Sequence, residues 1–189
     1  MTTGPNDVTT SPAAAAPAPA LTTTGLPTSG LGRAWSPYVL IPGHDGAPYK
    51  AESRRDGEQP GTLERFTVWI SDDPRDDPHT HPWPFVSRIL TGGYTESRYR
   101  KGADGEWREV GVFTWRAGDV VEVPAGDAHV VFHVLPGTTT HMLIGKLTAG
   151  PQDWGHLVDS DDGTRLEYVP VSLDPSFKAR LDALNKRPV

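Results

Sequence analysis

Cysteine is absent from the chain. No disulfide can brace the fold, no thiolate can ligate a metal, and no Cys nucleophile can operate. Positive charge is also scarce: 18 Lys and Arg stand against 24 Asp and Glu, for a net charge of -6. A phosphate backbone is bound through a basic face, and no run of Lys or Arg provides one. Nucleic acid and anionic membrane surfaces are therefore excluded as expected partners. Long apolar runs are missing too; no segment reaches the ~20 apolar residues of a membrane span. Pro17 and Pro19 break the Ala-rich stretch near the N-terminus, and no basic region precedes it. A secretory signal is thus not expected, and the expected location is cytoplasmic.

Residues 1–32 are mostly Thr, Ala, Pro and Gly. Such a segment buries too little surface to offset its ordering entropy, so a disordered tail is expected there. Residues 33–189 are then one domain of ordinary size. Trp35, Tyr38, Val39, Leu40 and Ile41 form the first dense apolar group, and the polar, Gly/Pro-containing stretch 43–61 reads as a surface loop. Short strand-like runs follow at 64–71, 85–90, 94–100, 107–115, 119–123, 128–135, 140–147 and 165–171, with turn residues between them. Many short strands at regular spacing predict an all-β sandwich or barrel. Only the end reads as helix: Asp174 can cap it, Pro175 suits its first turn, and Phe177, Leu181 and Leu184 recur at helical spacing.

His79 and His81 are separated by one residue. Alternate side chains of a strand share a face, so both rings can point into one lumen. A His-x-His pair alone is weak evidence and is commonly a surface accident. A second segment strengthens it. Gly118 opens a short apolar strand, Pro124 ends it, Gly126 permits a tight reversal, and His129 begins the next strand.

This second segment resembles the second signature motif of the cupin superfamily, in which Gly, Pro, Gly and His stand at these separations. The first resembles the first cupin motif, where His-x-His is followed by Glu and then Gly; Gly92 lies where that Gly belongs. The resemblance implies a cupin fold, a double-stranded β-helix or jelly-roll barrel, and His79, His81 and His129 as metal ligands. It also implies a homodimer. The chain departs from the pattern at Phe85, which stands where the family places its Glu ligand. Glu96 and Glu122 are the nearest carboxylates that could replace it.

Neutral imidazoles suit Fe(II), Mn(II), Ni(II) and Zn(II). Three facial ligands leave positions open for substrate or O2. An ion held by neutral ligands keeps its double charge and attracts anions. In ligand type the arrangement is similar to that of the thiol dioxygenases, although no Cys is present for a Cys–Tyr crosslink. The expectation is an Fe(II)-dependent oxygenase or dioxygenase acting with O2 on a small anionic or thiol-containing metabolite, such as an amino acid derivative. An O2-independent isomerase, lyase or hydrolase and a non-catalytic ligand-binding cupin are the rivals.

Around the ligands, His133 lies four residues after His129 and shares its face if the strand continues. It and Tyr94 are the candidates for proton transfer, and a buried, satisfied His is the plain alternative for His133. Trp83 and Phe85 are expected as pocket walls, or as ordinary core. Among the strand arginines Arg65, Arg88 and Arg98, solvent exposure is the default; Arg88 lies on the metal-motif strand and is the candidate anchor for a substrate carboxylate. His141 is expected to approach the site from a later strand. His44 and His156 are expected at the surface.

Overall fold

Phe85, Ser87 and Ile89 are buried, whereas Val86, Arg88 and Leu90 are less so. That alternation makes the run a strand with one face turned inward, and the same period recurs along the chain. The computed structural model describes residues 33–43, 46–72, 77–148 and 154–170. They form twelve strands: β1 (Val39–Pro42), β2 (Pro48–Asp56), β3 (Leu63–Trp69), β4 (His79–Thr80), β5 (Phe85–Thr91), β6 (Gly93–Lys101), β7 (Trp107–Arg116), β8 (Val120–Val123), β9 (Ala128–Phe132), β10 (Thr139–Ile144), β11 (Gly155–Asp159) and β12 (Leu166–Pro170).

The strands build two six-stranded sheets whose observed pairings are antiparallel, ordered β1-β2-β3-β10-β5-β8 and β12-β11-β4-β9-β6-β7. Phe85, Ile89, Tyr94, Val121, Val123, Val131 and Ile144, drawn from both sheets, form one buried cluster. This is the expected all-β jelly-roll barrel. The expected C-terminal helix and the N-terminal tail lie outside the described residues.

The stretch read as a loop, 43–61, contains the nine-residue strand β2. Its sequence hides the strand because the face toward the lumen carries Lys50 and Glu52 rather than apolar groups, and Arg54 follows them at the exposed end. Residues 33–37 run along the edge of β2 ahead of β1. The Ser36 N–H donates to Arg54 O at 2.8 Å, and the Ser53 hydroxyl donates to Ser36 O at 2.6 Å. Strand β11 was not expected either, and it is the neighbour that seats β4.

The β5–β6 reversal needs glycine. Gly92 has φ +68°, and a Cβ there would lie 2.8 Å from Thr138 Cα and 2.2 Å from Thr138 Oγ1. The buried Thr138 hydroxyl cannot retreat easily, because the Gly93 N–H donates to it at 2.9 Å. Gly92→Ala is expected to cost about 2 kcal/mol or more from left-handed backbone and steric clash together, read as a lower urea midpoint with unchanged slope.

Candidate metal centre

Strand β4 lies between β9 and β11, with His79 opposite His129 on one side and His156 on the other. Backbone and hydroxyl groups fix this short strand. Leu157 N–H donates to Pro78 O at 2.8 Å, Gly126 N–H to His81 O at 3.1 Å, and Gly155 N–H to Thr80 Oγ1 at 3.0 Å. His81 follows β4 directly and turns to the same side as His79. One potential ligand nitrogen from each of His79, His81 and His129 then falls within 4.8 Å of the others.

The donor set fits a divalent ion. His81 Nε2 and His129 Nε2 are 3.1 Å apart. Two imidazole nitrogens bound at right angles to one ion at ~2.1 Å would be about 3.0 Å apart. The other nitrogen of His129 is committed: Nδ1 lies 2.7 Å from Glu96 Oε1. Donation of Nδ1–H to the carboxylate leaves the Nε2 lone pair facing the other rings, the usual way a carboxylate orients a metal-binding His.

Glu96 is fully buried and surrounded by donors. Trp115 Nε1–H donates to its Oε2 at 2.7 Å, and the Arg98 guanidinium lies 3.0 Å from the same oxygen. Burial alone would raise this carboxyl's pKa; His129 and Arg98 overcome that and hold it below the ordinary value. Glu96 therefore stands behind His129, not among the mutually near ligand nitrogens. It is no substitute for the missing Glu ligand. Glu122 faces solvent on β8. Where the resemblance would place a Glu ligand stands buried Phe85, whose ring centroid is 5.3 Å from that of His81 and 5.7 Å from that of His129.

The cavity at the imidazoles is small, about 40 Å3. Trp69, Trp83, Phe85 and Met142 give it apolar walls, with Ser87, Thr140 and Tyr94 as hydroxyl groups. Burial, and then the Glu96 carboxylate, push the Tyr94 phenol above its ordinary pKa. It stays protonated at neutral pH and serves as a hydrogen-bond donor rather than a base.

Several expected pocket residues lie elsewhere. Strand β9 ends at Phe132, so strand parity no longer applies to His133; it is exposed with φ +50°. Arg88 is exposed on the outward face of β5. His141 faces outward on β10, where Nε2 lies 2.9 Å from Glu64 Oε2. There it borders a larger cavity, about 740 Å3, which runs along the outside of the first sheet and reaches Phe85 but touches none of the three imidazoles. The chemistry follows the converging donors, not the larger volume. His156 is on a strand, with its ring 6.2 Å from that of His79, outside the ligand group. His44 lies outside the described residues.

Sequence reasoning missed Lys50 as a cavity residue and left Arg65 to solvent. Both line the cavity. Glu52 lies 3.1 Å from Lys50 Nζ, 3.4 Å from Arg65 and 2.8 Å from Arg54. Arginine alternating with lysine and glutamate in a polar run was the available signal, but it looked like a solvated loop.

Glu96→Gln is expected to weaken metal binding about tenfold to a hundredfold, measured by chelator competition, because the orienting charge on His129 is lost. Glu52 gives a pH prediction. Burial would raise its pKa, but Lys50, Arg65 and Arg54 hold it far below the ordinary carboxylate value. A depressed folded-state pKa stabilises the fold above the unfolded value of ~4.3, and that contribution is lost as pH falls. Urea midpoints of the wild type should drop steeply below about pH 5. Glu52→Gln should start lower at pH 7 and show a shallower acid decline.

No protein-family model and no curated protein matches the chain. Solved structures that resemble it include HEPD of Streptomyces albus with 2-hydroxyethylphosphonate and Fe(II) bound, at 19% identity and TM-score 0.45, covering 66% of this chain and 26% of that one. Hydroxypropylphosphonic acid epoxidase from S. wedmorenis aligns at 13% identity and TM-score 0.41, over 60% of this chain and 55% of that one. Oxalate decarboxylase from Bacillus subtilis aligns at 12% identity and TM-score 0.43, over 65% and 30%. The chain thus spans only a part of each. The chain's own strands form two six-stranded sheets, and one of them brings the three imidazoles together.

Proposed function

We propose that the protein is a metal-dependent oxygenase, with Fe(II) held by His79, His81 and His129 and a small metabolite bound beside it. The convergence of three imidazoles in a small lumen, with no carboxylate among the described residues that line it, carries this reading. A redox-active divalent ion there would supply a Lewis-acidic centre able to activate O2. The protein's own groups supply the rest. Glu96 fixes the tautomer and direction of His129. Trp69, Trp83 and Phe85 exclude water, which strengthens every charge interaction within. The protonated Tyr94 phenol offers a hydrogen bond to a substrate oxygen. The neutral ligand set favours substrates that bring their own negative charge.

The test is anaerobic reconstitution with Fe(II), then oxygen-uptake assays over a panel of amino acids, thiols and small keto acids. Uptake with one of these classes is expected, along with loss of bound iron in His79→Ala and His129→Ala. Iron retained by both variants refutes the site. Wild-type protein that holds iron but consumes no oxygen with any compound refutes the oxygenase. Turnover that persists without oxygen would replace it with an isomerase, lyase or hydrolase.

A further inference from the structure

The groove on the outside of the first sheet plays no part in holding a metal. One row of outward residues crosses five strands there: Arg55 on β2 faces Glu64 on β3, Glu64 faces Leu143 on β10, Leu143 faces Val86 on β5, and Val86 faces Glu122 on β8. Strands lie ~4.8 Å apart, so the row is about 19 Å long. The cavity of about 740 Å3 follows it, with Leu63, Pro84, Phe85 and Val123 alongside. Leu63 and Leu143 are 38% and 51% exposed. A continuous apolar surface of this kind marks a place that another element covers. Its two ends are acidic: Glu58, just past β2, and Glu122, on β8, are both exposed. Arg55 does not offset them, because Glu64 holds it at 2.6 Å.

We propose that the segment 171–189 docks in this groove through Phe177, Leu181 and Leu184. Position, pattern and charge each support it. Strand β12 ends at Pro170, opposite Gly155. Trp154 precedes Gly155, its ring centroid lies 6.3 Å from that of Trp83, and Pro84, next along the chain, lines the groove. The segment therefore starts beside the groove, and residues 171–176 alone span up to about 20 Å when extended. Phe177, Leu181 and Leu184 recur at helical spacing and would share one face. A helix from Phe177 to Arg187 would be about 16 Å long, close to the length of the row. Lys178 and Arg180 near one end, and Lys186 and Arg187 near the other, can meet the acids at the two ends of the groove. Residues 1–32 leave from the β2 rim, where the Arg33 guanidinium donates to Asp56 O at 3.3 Å, but they contain no Lys or Arg to meet those acids. Docked in this way, the segment backs Phe85, the ring that lines both the groove and the small cavity at the imidazoles.

The test uses the full chain, in which introduced thiols are the only ones because there is no native Cys. Leu143→Cys is combined in turn with Leu181→Cys and with Leu184→Cys, and oxidation is followed on non-reducing gels at low protein concentration. The reference pairs join the same two tail positions to Val112→Cys, an exposed site on β7 of the second sheet. Val112 and Leu143 are both exposed, so these substitutions spare the core. The faster groove pair is expected to close an intramolecular disulfide about tenfold or more faster than its reference, because docking raises the local concentration of one thiol at the other. Glu58→Lys together with Glu122→Lys should slow that closure about threefold or more, with the difference shrinking in high salt. Equal rates in the groove and reference pairs overturn the proposal. So does a rate that the two charge reversals leave unmoved. Faster closure of Leu143→Cys with Leu21→Cys assigns the groove to residues 1–32 instead. Leu143→Cys alone, if it forms a disulfide-linked dimer faster than the pairs close, assigns it to a second copy of the chain.

Discussion

A strand of two residues has to be held in register for the site to exist. β4 supplies His79 and leads into His81, yet it is too short to hold itself in place. Its position comes from both neighbours: β9 fixes His79 opposite His129, and β11 clasps the other edge through Pro78, Thr80 and Gly155. Gly155 has no room for a side chain, since a Cβ there would meet the Tyr168 ring at 2.4 Å. The far strand pair β11–β12 thus contributes to metal geometry without offering a ligand. A slip of one residue in β4 would turn the imidazole of His79 to the opposite face.

The interior carries several charged side chains. Glu52 and Glu96 are both buried, and each is tied to cations rather than left to be neutralised by a proton. Buried ion pairs contribute little net stability, because desolvation offsets most of the attraction. Their distribution makes better sense as function. Glu96 spends its lone pairs on His129, Trp115 and Arg98, so it aims a ligand without becoming one. Glu52 makes the buried basic groups of Lys50 and Arg65 tolerable beside the lumen.

The histidine triad was legible because strand alternation and Gly/Pro spacing are local properties. So was the all-β class. What was not legible depended on long-range placement. β2 lacks apolar alternation because its inward face carries paired charged side chains, so hydropathy read it as loop. His133 obeys the parity of β9 on paper, but the strand stops one residue earlier and the chain turns with positive φ. Arg88 and His141 sit on strands whose inner face is set by Ser87 and Met142, which pair across β5 and β10 and both line the cavity. Glu96 is the instructive case: its proximity to the site could be suspected, but only the pairing of β6 with β9 places it behind a ring rather than beside it.

Phe85 links two features that otherwise seem separate. It stands where the cupin motif that the sequence resembles places a carboxylate, and it lines both the small cavity at the imidazoles and the larger outer groove. One aromatic ring is thus a partition between a compartment of about 40 Å3 and another of about 740 Å3. Truncating it would open a side door from the apolar groove toward the imidazoles. A smaller side chain at position 85 would therefore enlarge the compartment beside the imidazoles and also remove the ring that packs against His81 and His129.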